Sequence, residues 1–159
     1  MAANFKTEMI AGVPVWKDNS GNVVGVQAPV GNGFVQSIRQ RFTIAQVNAG
    51  ATLLAALPGF KYRMIQCSAI AIGGAVGAVT TVDVIGTQSS AVKLAAFAQA
   101  SLTQSAELRA GDTGGAILAD GASFVACDAN TAITVGVTGS AITTATHIDF
   151  IFEFVVDKA

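Results

Sequence analysis

The run "THIDFIFEFVV" at residues 146–156 constrains the fold of this chain more than any other stretch. Thr146, Ile148, Phe150, Phe152, Phe154 and Val156 share one parity, and His147, Asp149, Ile151, Glu153, Val155 and Asp157 share the other. Successive side chains of a strand point to opposite faces. One face is therefore three phenyl rings with aliphatic neighbours, and it has to be core. The chain's only histidine and the acids behind it fall on the opposite face because they alternate with that core. Ionisable groups two positions apart on a strand sit about 6.6 Å apart, too far for a hydrogen-bonded pair of short side chains. A metal would require three or four ligands from nearby elements. Asp83, at an outward parity of its own run, is the one further acid placed to join them. His147, Asp149 and Glu153 thus read as the solvated side of a structural strand.

Alternation of this kind dominates from Phe34 onward. Phe34, Ile38, Phe42 and Ile44 oppose Ser37, Arg39, Arg41 and Thr43, which predicts a long strand with one dry face and solvated arginines on the other. "ATLLAAL" predicts a short strand, then the turn "PGF", then a strand from Lys61 to about Ile72. That strand would carry Tyr62, Met64, Ile70 and Ile72 on one side and Ile65, Cys67, Ala69 and Ala71 on the other. Both sides are apolar, so it is expected to be covered on both faces. Further strands are predicted at 80–88, with Val82 and Val84 inward, and at 91–99, 102–108, 122–127 and 131–139, with Ile133, Val135 and Val137 inward. The alanine-rich stretch 91–108 also suits a helix. "GGAVGA", "AGDTGG", "ADGA", "CDAN" and "TGSA" supply the turns between them. Many short strands at near-regular spacing predict an all-β, antiparallel β-sandwich.

Residues 1–33 have a different texture, rich in Gly, Pro and Asn. "VPVWKD" and "NVVGVQ" flank "NSG" and read as a hairpin anchored by Trp16. An isolated hairpin is marginal in water, so this one needs a neighbour. The chain divides into an N-terminal arm or hairpin over 1–33 and a β-sandwich domain over 34–159.

Several function classes find no support. The 159 residues carry 52% hydrophobic but only 12% charged side chains, about half the usual share of charge. Such a chain has few charges to cover a monomer surface, and part of that surface is expected to be buried against other copies or another protein. A net charge of −1 leaves no electrostatic footprint for nucleic acid. The most apolar stretch, "AIAIGGAVGAV" at 69–79, is glycine-broken and shorter than the roughly 20 residues of a membrane span. The N-terminal "MAANFKTEMIAG" lacks the continuous apolar segment of a secretory signal, so synthesis in the cytoplasm is the expectation. Cys67 and Cys127 match no metal-ligand spacing and read as small buried hydrophobes, with a disulfide as the alternative. With one histidine and no nucleophile-elbow motif a catalytic triad is not expected. "GNGF" (31–34) and "GDTGG" (111–115) read as turns because neither continues into the Lys-Ser/Thr of a phosphate loop. The expectation is a non-enzymatic protein with no cofactor, metal or small-molecule substrate.

The run "FTIAQVNAGATLLAALPGFKYRMIQCSAIAIGG" (42–74), with Lys61, Tyr62 and Arg63 opening its last strand, resembles small virion proteins of tailed bacteriophages. "TTVDVIGTQSSAVKLAAFAQASLTQS" (80–105), "ILADGASFVACDANTAITVGVTGS" (117–140) and the closing run continue the resemblance over roughly residues 40–157. The family in question is the capsid decoration, or cement, proteins. The resemblance implies a jelly-roll-like sandwich, a homotrimer on the outside of the capsid bound to the major capsid protein, and no catalysis. A virion location on the capsid exterior follows from it, after synthesis in the host bacterial cytoplasm. On this reading Ile65, Cys67, Ala69 and Ala71 are candidates for the trimer interface. Phe5, Ile10, Val13, Val15 and Trp16 of the arm are candidates for capsid binding, unless the hairpin covers an edge of its own sandwich. The competing expectation is a carbohydrate-binding or adhesin-type sandwich on a head fibre or tail. Trp16 and Tyr62 would have to serve it, as the chain's only tryptophan and tyrosine.

Overall fold

The computed structural model describes residues 6–10, 13–17, 23–26 and 34–159, with side chains from Phe34 onward. In the N-terminal part, β1 (Lys6–Ile10), β2 (Val13–Lys17) and β3 (Val23–Val26) form a three-stranded antiparallel sheet in that order. Trp16 lies opposite Gly25 in the β2–β3 hairpin that the turn residues predict. A further strand, β1, pairs with β2 from Lys6 opposite Lys17 to Ile10 opposite Val13. Phe5 lies outside the described residues.

The remaining strands are β4 (Gln36–Thr43), β5 (Thr52–Leu54), β6 (Phe60–Ile72), β7 (Val79–Gln88), β8 (Ser90–Ala98), β9 (Glu107–Arg109), β10 (Gly115–Ile117), β11 (Ile133–Gly139) and β12 (His147–Lys158). They make two packed sheets, β4-β12-β6-β9 and β10-β8-β7-β11-β5. Eight of them pair first with last: β4 with β12, β5 with β11, β6 with β9 and β7 with β8, all antiparallel. This is one long ribbon of paired strands, rolled so that successive pairs fall in alternate sheets. Joining β12 to β6 and β11 to β7 closes the roll. The chain is an all-β antiparallel sandwich with jelly-roll strand order, and β10 is an added strand on β8.

The core lies between the sheets, and β12 dominates it. Ile148, Phe150 and Phe152 are fully buried and sit opposite Ala71, Ala69 and Cys67 of β6. Large side chains on one strand face small ones on its neighbour, so the layer fills without clashes. Phe42 meets Phe150 edge-on at 6.0 Å, and Tyr62 meets Phe154 at 5.6 Å. The other sheet contributes Val82, Val84, Leu94, Phe97, Ile133 and Val135. Cys67 and Cys127 are both free and buried, and burial pushes both thiols up.

This packing removes three candidates for an oligomer interface. Cys67, Ala69 and Ala71 point into the chain's own core, and only Ile65 of the four is exposed. The cause is a bulge: the pairing of β6 with β12 shifts between Glu153 and Phe154, leaving Ile65 as the extra residue. An extra residue reverses the parity of everything beyond it. Tyr62 and Met64 face in, whereas Ile70 and Ile72, on the same numerical parity, face out.

Other predicted strands end earlier or are replaced. Phe34 is 57% exposed and precedes β4, and Ile44 opens a five-residue helix, α1 (Ile44–Asn48). Thr43 accepts from the Gln46 N–H, and the Gln46 side chain accepts from the Thr43 N–H. That capping box starts a helix where the alternation alone predicted continued strand. Within "ATLLAAL" only Thr52–Leu54 is strand, and of 102–108 only the end joins β9. The stretch 90–98 is strand, not helix. Residues 122–127 do not form a strand; a 3-10 turn runs over Ala119–Phe124, broken by left-handed Asp120 and Gly121. The buried Ser123 hydroxyl holds that turn, accepting from the Leu118 N–H and donating to the Leu94 carbonyl. The "PGF" turn is as predicted: Pro58 and Gly59 are its central residues, Gly59 has φ +81°, and the Phe60 N–H donates to the Leu57 carbonyl at 3.1 Å.

Candidate functional site

The outer face of the four-stranded sheet holds the groups that drew attention in the sequence. Asp149 is not solvated. Its side chain is 2% exposed beneath Arg39 and Arg41 of the edge strand β4. The register places Arg41 opposite Asp149 and Arg39 opposite Ile151, so both guanidinium groups reach the same carboxylate. Arg41 Nε donates to Oδ1 at 2.6 Å and its Nη2 to Oδ2 at 3.0 Å. Arg39 donates to Oδ2 from Nη2 at 2.6 Å and from Nε at 3.1 Å. Four charge-assisted bonds saturate one anion. The Arg41 bond does most to hold the Asp149 carboxyl down, to about 2, with Arg39 adding to it and burial opposing. The same contacts raise Arg41 further.

His147 and Glu153 flank this cluster without joining it. His147, opposite Thr43 and Ile72, has its Nδ1 3.1 Å from Thr146 Oγ1. Glu153 lies opposite Ser37 and Gln66. Further along the face, Arg63 donates to Asp157 at 2.5 Å, and Arg109 pairs with Glu107 at 3.2 Å. The Ser68 hydroxyl, then Arg109, lowers the Glu107 carboxyl.

Asp83 sits on the opposite outer face, in the five-stranded sheet, and cannot share a site with His147. It too is buried. Lys93 Nζ approaches its Oδ2 at 3.2 Å, and the Thr138 hydroxyl donates to that oxygen at 2.6 Å. Lys93 also bonds the Thr138 hydroxyl. Asp83 Oδ1 and the Thr81 hydroxyl are buried without a hydrogen-bond partner among the described residues. Among the described residues no group of three His, Cys, Asp or Glu side chains is placed to hold a metal. "GDTGG" is the β9–β10 turn, closed by the Gly111 N–H on the Gly115 carbonyl at 2.7 Å. "GNGF" lies outside the described residues except for Phe34.

The arginine clamp was missed at the sequence level because β4 and β12 meet only through the roll. Its one visible signal was two arginines two residues apart and an acid, all at the polar parity of apolar-alternating runs. No helix of the described residues is long and apolar enough to cross a membrane. A search of protein families, curated proteins and solved structures finds no match to this chain. Fold and face together define a jelly-roll sandwich whose outer ionisable groups are chiefly bound to each other.

Proposed function

We propose that this chain is a non-enzymatic structural protein of a phage virion, binding the outside of the capsid as a homotrimer and reinforcing the shell. The observation that carries the reading is how the charges of the four-stranded face are used. Its carboxylate most protected from water, Asp149, is consumed by Arg39 and Arg41. A general acid or base needs a titrating group free to exchange a proton near neutral pH, whereas this carboxyl is held at about 2. What the sandwich offers a partner is shape and apolar surface. Exposed Phe34, Val35, Ile65, Phe124 and Val125 fit a chain that works bound to others, as does the low charge content. The resemblance of residues 42–74 to decoration proteins supplies the class of partner.

Co-sedimentation with undecorated phage capsids, followed by mass spectrometry of purified virions, tests the proposal. Saturable binding to the shell, at a fixed ratio to the major capsid protein, is the expected result. Absence from virions together with selective binding on a glycan array would replace the reading with a carbohydrate-binding module.

A further inference from the structure

One carboxylate on the outer face of the four-stranded sheet has no counter-charge among residues 34–159. Asp149, Asp157 and Glu107 are each paired with arginine, and Glu153 is not. It shares the outward parity of β12 with Ile151 and Asp149, and lies between Ser37 and Gln66 of the flanking strands. Arg39, one row along the same face, donates from Nε and Nη2 to Asp149 instead. Half-buried Ile151 and Ile70 fill the middle of the face. The surface therefore combines an apolar centre with one unmatched acid. Beside that acid is one surplus positive charge, because Arg39 and Arg41 share a single carboxylate.

The N-terminal sheet has the converse pattern. Its register sets Lys6 opposite Lys17, Glu8 opposite Val15, Ile10 opposite Val13 and Val15 opposite Val26, which places these residues on one face. Ile10, Val13, Val15 and Val26 make most of that face aliphatic. A sheet with an apolar face has to bury it against another layer, and three strands of four or five residues cannot enclose it alone. Two like charges directly opposite each other are unfavourable, so Lys6 and Lys17 call for an anion. Thr7, Met9, Pro14 and Trp16 lie on the other face.

We propose that the lysine-bearing face of β1–β3 docks on the outer face of the four-stranded sheet of its own chain, with Lys6 and Lys17 on Glu153. The charges match at a common spacing. Glu8 is two residues on from Lys6, and the Arg39–Ile151 row is two residues on from the Ser37–Glu153 row. Glu8 thus meets the surplus charge at Arg39 when the lysines meet Glu153, and the aliphatic residues cover Ile151 and Ile70. The tether selects the chain's own sheet over a second copy or another protein. β3 ends at Val26 and β4 begins at Gln36, so residues 27–35 reach up to about 30 Å. Glu153 is one strand spacing, about 4.8 Å, from Ser37 at the start of β4. A short tether holds the sheet at an effective concentration of about millimolar, above that of any free copy in dilute solution. The contact leaves the face that carries Trp16 to a partner. It concerns the free chain, and so stands or falls independently of the capsid reading.

The test uses the full chain in dilute solution. Carbodiimide joins an amine to a carboxylate in contact with it, so peptide mass spectrometry should find Lys6 or Lys17 coupled to Glu153. An equal mixture of isotopically light and heavy chains should give that link within one chain only. Glu153→Gln and Glu153→Lys should each raise hydrogen exchange at the β1–β3 amides several-fold, the reversal more than the neutral change. Thermal unfolding of the sandwich should stay near wild type in both. Adding Lys6→Glu and Lys17→Glu to Glu153→Lys should restore the protection. Links between light and heavy chains would overturn the own-chain assignment in favour of a second copy. Absence of the link, or exchange in β1–β3 that ignores both Glu153 variants, would overturn the docking itself. Should Glu153→Lys fail to fold, Glu153→Gln and the cross-link decide.

Discussion

Arg41 of β4 and Asp149 of β12 face each other across neighbouring strands, 2.6 Å apart, and Arg39 closes on the same carboxylate from one position along. The carboxyl is ionised more readily in the folded chain, at about 2 against an ordinary 3.8. A folded value below the unfolded one means that the contribution is fully present above the unfolded value. It is lost as pH falls through the folded one. The clamp should therefore lose about 2 kcal/mol between roughly pH 4 and 2. Denaturant midpoints measured down this range should fall for wild type. In Asp149→Asn, already weaker at neutral pH because two guanidinium groups have lost their anion, the fall should be shallower.

The pairing of Phe150 and Phe152 with Ala69 and Cys67 predicts that opposite volume changes at the two strands both destabilise the chain. Phe152→Ala should cost about 3–5 kcal/mol through lost burial and a cavity. Ala69→Leu should cost about 1–3 kcal/mol by overfilling the space beside the rings. Phe152→Asp should yield no soluble folded protein, because nothing near it can pair a charge. Urea unfolding of the first two and the soluble fraction of the third are the measurements.

His147→Ala should change stability by less than about 0.5 kcal/mol, as do most surface substitutions without a fixed partner. Among the described residues, the side-chain hydrogen-bond partner of its ring is the neighbouring Thr146 hydroxyl. A thermal shift comparable to that of Asp149→Asn would show that the histidine belongs to the clamp.

Thr43→Ala should cost about 1 kcal/mol, the usual loss for a helix cap. The loss should appear as earlier hydrogen exchange at Gln46 and Val47, whose helix joins β4 to β5.

Much of this architecture could be read from alternation, and the failures have identifiable causes. β11 and β12 follow a period of two, as does β7 from Val82 onward, and those inward residues were legible one by one; the extra residue at Thr80, which also turns Val79 inward, was not. β6 was legible as a strand but not in its facing, because the Ile65 bulge is set by pairing with Glu153 and Phe154, far away in sequence. Periodicity also could not see the end of β4; the Thr43–Gln46 box carried that signal and competes successfully with alternation there. The short strands β5, β9 and β10 have three residues each, too few to show a period. The Asp149 clamp needed knowledge of which strands become neighbours, and first-with-last pairing is a property of the roll, not of any local stretch.

The final prediction concerns residues 1–33. All strands of the jelly roll fall between Gln36 and Lys158, while β1, β2 and β3 form their own sheet. A three-stranded sheet of such short strands has little core of its own. It does have main-chain groups along its outer strands that can pair with an exposed strand edge of a partner. Three such arms on one trimer would multiply weak contacts through effective concentration. A chain beginning at Phe34 should therefore fold and assemble as the full chain does, yet lose binding to undecorated capsids. Trp16→Ala in the full chain should bind with intermediate affinity. Equal capsid binding by the truncated and full chains would remove the arm from the attachment. Failure of the truncated chain to fold would mean that the sheet serves its own sandwich as an edge cover, and capsid binding by Trp16→Ala should then follow its stability.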